Sequence, residues 1–362
     1  MKKKMIKLFD PFVGKEELME SSKILKSKFW SSGSGIGNVE EFENKFSNFI
    51  GCKNSVAVSN GTAALHLALS SLNLEKKEVL LPSLTFVSTA HAAMYNNAKL
   101  KFVDVDEKTL CIDINDLENK ITPKSSVIIP VHFGGYPCNL EKIHKLKNKY
   151  KIHVVEDAAH ACGASYKGKR IGSHSEMVCF SFHPVKNLSM PNGGLIAFNS
   201  NLHTVNSLKS KRWCGIANRK KFSYDVESLG WNYYLNEISA GIGLVQLKRL
   251  TKLNKRRLEI AKKYNKFLNL EKKMPYSKDC SYHLYWIRVK NRNQFMKKMS
   301  DECIETGIHY RPVHTMSFYR KKTEDVLPIT NLVSNEIVTL PIHPNLSDFD
   351  VDYIIKKVNN SI

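Results

Sequence analysis

Short apolar runs at 55–58, 78–81, 101–105, 126–131, 153–156 and 177–182 alternate with helix-like segments over the first two thirds of the chain. Each run is apolar on both faces, as in a parallel sheet covered by helices. Helical candidates at 62–72, 88–95 and 140–150 lie between them. Alternating β and α units predict a doubly wound α/β domain. In such sheets ligands bind at the carboxyl ends of the strands, so chemistry is sought there.

After about residue 229 the pattern changes. Residues 236–268 read as one long helix in which Leu253, Ile260 and Phe267 recur every seventh position, with Leu250 and Tyr264 on the same face. Lys255, Arg256, Lys262 and Lys263 take the remaining surface and read as a solvated face. A strand at 282–289 and helices at 293–306 and 348–359 complete a smaller α+β unit. No internal repeat and no Pro/Gly/Ser linker separates independent modules. The expected division is an N-terminal arm at 1–25, a large domain at 26–245 and a small domain at 246–362.

The formal charge is +21, from 55 Lys and Arg against 34 Asp and Glu. Such an excess raises nucleic acid or an anionic membrane as partners. The basic residues are spread along the whole chain rather than gathered, which favours a diffuse surface property. An apolar and aromatic content of 42% and 10% excludes disorder for the bulk of the chain. The eight cysteines form no Cys-x-x-Cys pair, as in reduced, buried thiols. Neither a signal peptide nor a membrane span is visible, so the expectation is a soluble cytoplasmic protein.

Four segments carry candidate chemistry. In Val58-Ser-Asn-Gly-Thr-Ala-Ala-Leu a strand ends and a helix opens, and the helix N-terminus is a natural anion site. The same residues are also good turn and N-cap formers. In Val154-Val-Glu-Asp-Ala-Ala-His, Asp157 ends an apolar strand, where a carboxylate must be solvated, paired or aimed at a ligand. In Cys179-Phe-Ser-Phe-His-Pro-Val-Lys-Asn, Lys186 closely follows a strand and can form a Schiff base with a carbonyl cofactor. In Pro82-Ser-Leu-Thr-Phe-Val-Ser-Thr-Ala, Phe86 can stack on a planar ring or join the core. Together they bring an anion site, a ring, a carboxylate and an amine to one sheet edge. Pyridoxal 5'-phosphate needs those four.

The order and wording of these motifs closely resemble the sugar aminotransferases of the DegT/DnrJ/EryC1/StrS family. The likeness also covers Gly33-Ser-Gly-Ile-Gly-Asn-Val-Glu-Glu-Phe-Glu, Gly230-Trp-Asn-Tyr-Tyr-Leu-Asn-Glu, Gly307-Ile-His-Tyr-Arg-Pro-Val-His and Leu340-Pro-Ile-His-Pro. The resemblance implies a fold-type I large domain, with a mostly parallel sheet between helices, and a smaller α+β C-terminal domain. It implies that Lys186 is the catalytic amine and Asp157 the partner of the pyridine nitrogen. Phe86 stacks on the ring; Gly61, Thr62, Ala63 and Ser181 hold the phosphate; His160 adjusts cofactor orientation. A metal role for His160 with Cys162 lacks a complete ligand set, and no metal is expected. Family members are typically homodimers with shared sites, so Asn232 is expected to reach the phosphate from the partner subunit. Gly35, Ile36, His309, Tyr310 and Arg311 are the expected substrate contacts.

The implied reaction moves an amino group from glutamate to a nucleotide-linked keto sugar, a 4-keto-6-deoxyhexose, with no nucleic-acid or membrane partner. The alternatives are a cofactor-dependent sugar dehydratase of the same family and a nucleic-acid-binding regulator. The deoxygenating branch that lacks transamination has His at the position of Lys186. Two stretches depart from the family pattern. Asn232-Tyr233-Tyr234 stands where many members have Asn-Tyr-Arg, and Leu188-Ser-Met-Pro-Asn-Gly-Gly where Thr-x-Gly-Glu-Gly-Gly is frequent. Met190, Pro191 and Asn192 are therefore expected to reshape the mouth of the site.

Overall fold

A computed structural model describes residues 5–199, 202–221, 223–321 and 325–362. Its centre is a seven-stranded sheet of β1 (Asn54–Val58), β2 (Glu78–Pro82), β3 (Lys99–Val103), β4 (Ser125–Ile128), β5 (His153–Asp157), β6 (Met177–Ser181) and β7 (Gly194–Phe198). The spatial order is β1-β7-β6-β5-β4-β2-β3. All neighbours pair in parallel except β7, which runs antiparallel to both β1 and β6.

Neighbouring residues on one strand divide between two cores. Ala57, Leu80, Ile128, Val154, Val178 and Phe180 enter one cluster. Val56, Val58, Val79, Leu81, Val127, Val155 and Cys179 enter the other. Both faces are thus covered, and that accounts for the continuous apolar runs.

Several strand edges and two helix ends differ from expectation, and the strand expected at 282–289 is cut back to Tyr285–Arg288. The run at 101–105 pairs instead as Lys99–Val103, in register with β2. The run at 126–131 ends as a strand at Ile128, just before the Ile129-Pro130 pair, since proline has no N–H for a ladder. The run at 177–182 ends at Ser181. The helix expected over 62–72 stops at Leu69 and the one over 293–306 at Asp301, where Cys303 turns left-handed with φ 57°. Strand β7 was not anticipated; it reads as a plain continuation of the Gly193-Gly194 loop.

The helices that position the site are α1 (Lys15–Ser27), α2 (Asn38–Ile50), α3 (Gly61–Leu69), α4 (Ser88–Tyr95), α5 (Glu237–Phe267) and α6 (Asp348–Asn359). Helix α5 begins at Asn236, whose side chain accepts from the Ser239 N–H at 2.8 Å. It packs on α1 and α2 with its first half and on α6 with its second. The expected boundary at 245/246 falls inside it. Leu250, Leu253, Ile260 and Tyr264 are buried, but Phe267, at the helix end, is 45% exposed. The basic face is not simply solvated either. Arg256 pairs with Asp348, and Lys263 with Asp348 and Asp352 on α6. Apart from the central sheet, β8 (Tyr285–Arg288) pairs antiparallel with β9 (Ile337–Leu340).

Phe46 on α2 anchors the packing between helix and sheet. Its ring lies 5.2 Å from Phe180, 5.3 Å from Phe182 and 5.6 Å from Phe42. The Phe46→Ala variant should lose about 3–5 kcal/mol, the usual cost of emptying a buried aromatic site. Calorimetry should show this as a thermal midpoint lowered by several degrees.

Candidate active site

The carboxyl ends of β1, β5 and β6 bring the expected groups to one edge. Ser181 on β6 pairs with Gly194 on β7, and Gly194 pairs with Val58 on β1, so the three share one row. Past Val58 the chain turns through Asn60, whose side chain caps α3 by accepting from the Ala63 N–H at 2.9 Å. The N–H groups of Gly61 and Thr62 head the helix, where no intrahelical acceptor exists. Gly61 approaches β6 so closely that a Cβ there would lie 2.7 Å from the Ser181 Cβ. Only glycine leaves a cradle between the helix N-terminus and the serine hydroxyl.

Asp157 ends β5 and is 5% exposed. Thr89 Oγ donates to its carboxylate at 2.8 Å, and the Ala159 N–H does so at 3.1 Å. Thr85 Oγ lies 2.9 Å from Thr89 Oγ, so the hydroxyls form a chain that ends on the carboxylate. Burial pushes the Asp157 carboxyl above its ordinary value; Thr89, Ala159 and the nearby Lys186 charge pull against that. A buried carboxylate without a direct cationic partner among the described residues fits a ligand that brings positive charge.

Lys186 is partly buried in the turn after β6. Its Nζ lies 3.2 Å from His283 Nε2 and makes no ion pair among the described residues. Burial pulls the amine down from its ordinary value to about 8, against the raising effect of Asp157. The turn is pinned by the next residue. The Asn187 carboxamide, 4% exposed, donates to Asn254 Oδ1 on α5 at 2.8 Å and to the Ser281 carbonyl at 2.7 Å.

His160 accepts from the Gly134 N–H at Nδ1 (3.3 Å), so its proton sits on Nε2, which donates to the Tyr310 hydroxyl at 2.9 Å. Burial and the Lys186 charge hold this ring well below the ordinary histidine value. Phe86 is 56% exposed, with Tyr310 at its edge (5.9 Å), so its face is open for stacking. His309 bonds Thr339 at 2.9 Å, and burial, then Lys186, lowers it to about 4.

Other expected residues stand apart. Arg311 is exposed and fastened to Thr315 through its carbonyl (2.9 Å) and hydroxyl (3.3 Å). Gly35, with φ 70°, sits over the Arg212 guanidinium, which donates to the Ser34 carbonyl at 3.1 Å; Ile36 is exposed. Asn232 is exposed and pairs with Trp213, while the following Tyr233 carbonyl accepts from the Ser59 N–H at 2.7 Å, beside the cradle. Met190 does not shape the mouth of the site. It is 2% exposed and packs against Gly243 of α5, leaving Pro191 and Asn192 at the surface.

The amine, the buried carboxylate, the exposed ring face and the glycine cradle fit pyridoxal phosphate. The sequence model of the DegT/DnrJ/EryC1/StrS aminotransferase family matches residues 11–359. The chain belongs to that family. Its members are pyridoxal phosphate-dependent sugar aminotransferases, and this chain is one such enzyme. The spore coat polysaccharide biosynthesis protein SpsC of Bacillus subtilis is 34% identical, over 97% of this chain and 96% of its own length. A sugar aminotransferase of Streptococcus pneumoniae, solved in its pyridoxal phosphate form, superposes with a TM-score of 0.92 at 27% identity, over 99% of this chain and 98% of that one. PseC of Helicobacter pylori, an aminotransferase in the biosynthesis of pseudoaminic acid, gives 0.93 at 25% identity, over 99% of both chains.

Sequence reasoning missed His283 and Thr89. His283 lies in an apolar strand-like stretch and Thr89 in a helix, and only the fold carries them to Lys186 and Asp157. The isosteric Thr89→Val variant removes one donor to the carboxylate, which raises the Asp157 carboxyl further. A hydrogen bond to a charged group contributes about 1.5–3 kcal/mol, so the dissociation constant for pyridoxal phosphate should rise about tenfold or more. Equilibrium dialysis measures it.

Proposed function

We propose that this aminotransferase moves the amino group of glutamate to the ketone of a nucleotide-linked 4-keto-6-deoxyhexose. The observation that carries the reading is the partly buried Lys186 amine, unpaired by any carboxylate among the described residues, on the same sheet edge as Asp157 and the Gly61–Ser181 cradle. Pyridoxal phosphate, when bound, supplies an electron sink that weakens a C–H bond beside nitrogen.

The chain's own groups do the rest. Gly61, Thr62, Ala63 and Ser181 hold the phosphate, and the partner subunit's Asn232 completes that grip in a homodimer. Phe86 packs on the ring, Asp157 keeps the pyridine nitrogen protonated, and His160 sets the ring's tilt through its bond to Tyr310. With its proton held low by burial, Lys186 Nζ takes up a proton at the donor's α-carbon and releases it in the first half-reaction. It runs the same transfer backwards at the sugar carbon in the second. Gly35, Ile36, His309, Tyr310 and Arg311 receive the sugar and its diphosphate. The setting is a cytoplasmic route to an amino sugar, in keeping with the polysaccharide role stated for the Bacillus relative.

The purified protein should be yellow, and glutamate should shift its visible band. Adding nucleotide keto sugars one at a time should then produce an aminated sugar detectable by mass spectrometry. Lys186→Ala should abolish both half-reactions; wild-type rates in that variant would refute the mechanism. The charge of +21 offers a separate check. If the positive field captures the anionic sugar nucleotide, kcat/KM for that substrate falls as salt rises. A flat salt response means that the field takes no part in capture.

A further inference from the structure

The roles above leave one buried imidazole beside the reacting amine without a task. His283 precedes β8 and is 1% exposed. One ring face stacks on Phe9 at 5.6 Å and 19°, and His160 stands 4.6 Å away. The flanking backbone is tied down. The Ser281 carbonyl accepts from Asn187, and the Leu284 N–H donates to the Gly134 carbonyl at 3.2 Å. Only Nε2 has a polar contact, the Lys186 Nζ at 3.2 Å, while Nδ1 is buried without a partner among the described residues.

Burial, and then the charges of Lys186, His160, Arg257 and His309 around it, hold this ring well below the ordinary histidine value, so the imidazole is neutral. A neutral imidazole carries one proton. Were it on Nδ1, a buried N–H would have no acceptor, and Nε2 would accept from a Lys186 ammonium. On Nε2, the proton is donated to the lone pair of a neutral amine, and only a bare lone pair is left at Nδ1. Orphaned buried N–H groups are the rarer of the two defects.

We propose that His283 is the positioning residue for the reacting amine: when that amine is free of the cofactor and deprotonated, the His283 Nε2–H donates to the Lys186 Nζ lone pair, aims it and so favours the neutral form. The proposal rests on Lys186 being the reacting amine. A neutral amine can take a proton or attack a carbonyl; an ammonium can do neither. Around Lys186 itself stand Asp157 from the sheet edge, His183 in its own turn, and His160, His283 and His309. Of these, only His283 contacts the nitrogen within hydrogen-bonding distance.

The test uses the full chain freed of cofactor. Lys186 labelling by an amine-selective acylating reagent is followed across a pH series, with the Lys186 peptide quantified by mass spectrometry. The wild-type midpoint should lie near 8. His283→Phe keeps a ring between Phe9 and His160 and excludes water, so burial alone would hold or lower the midpoint. Loss of the donor should instead raise it by about one pH unit, the equivalent of one hydrogen bond. His283→Gln places an N–H near the position of Nε2 and should bring it back. An unchanged or lowered midpoint in His283→Phe, or no recovery in His283→Gln, overturns the proposal. Nitrogen-15 spectra of histidine-labelled wild-type protein, recorded above the Lys186 midpoint, decide the tautomer whether or not the variants fold: a proton on Nε2 supports the proposal and a proton on Nδ1 overturns it. If the visible cofactor band survives in Lys186→Ala, the functional reading fails, and neither the labelling nor the tautomer result depends on it.

Discussion

Taking a lysine amine out of water costs several kcal/mol if it stays charged, and the site is organised around that cost. Lys186 meets it by giving up its proton near pH 8 rather than by pairing with a carboxylate. Asp157 is kept on the other side of the same problem, a buried anion held by Thr89 and Ala159. Direct contact between the two would satisfy both and leave no use for a cofactor. The Asn187 carboxamide prevents the turn from drifting, because it ties the lysine's neighbour to α5 and to the Ser281 backbone at once.

The strand ends were legible because they depend on local pattern. Apolar continuity marked covered strands, and a polar residue straight after one marked an edge, which placed Asn60, Asp157 and Ser181. Strand β7 escaped because it is short and opens on the second glycine of the Pro191-Asn-Gly-Gly194 turn signal, so Gly194–Phe198 reads as part of that loop. Its antiparallel course is a matter of tertiary pairing with Val58 and Ser181. Thr89 and His283 were invisible for a related reason. Neither spacing nor composition sets them apart, and their partners lie 68 and 97 residues away. Phe267 kept the seven-residue rhythm, yet the helix ends there and its ring is left at the surface.

The positive charge also looks different once the fold is known. Several cations act as internal ties. Arg212 is 1% exposed and donates to Glu43 at 2.7 Å and to the Ala57 carbonyl at 3.0 Å, joining α2 to β1 beneath the Gly35 loop. Arg249 grips Glu17 of α1, and Arg288 grips Glu336. Other cations face solvent, among them Lys248, Lys252, Lys255, Lys262 and Lys266 on the outer side of α5.

The segment that carries His309, Tyr310 and Arg311 is held at both ends by different parts of the molecule. Gly307 exchanges backbone hydrogen bonds with Thr339 of β9, at 3.1 and 2.8 Å. Val313 donates to the Ser83 carbonyl at 2.9 Å, and His314 Nδ1 lies 2.7 Å from the Ser83 hydroxyl, just past β2. This stretch is a strut between β9 and the loop that follows β2. A hinge that swung one away from the other would have to break bonds at one end of it. Moving β9 against the sheet edge therefore means undoing one end of this span first, so His309, Tyr310 and Arg311 are presented like rungs on a ladder braced top and bottom.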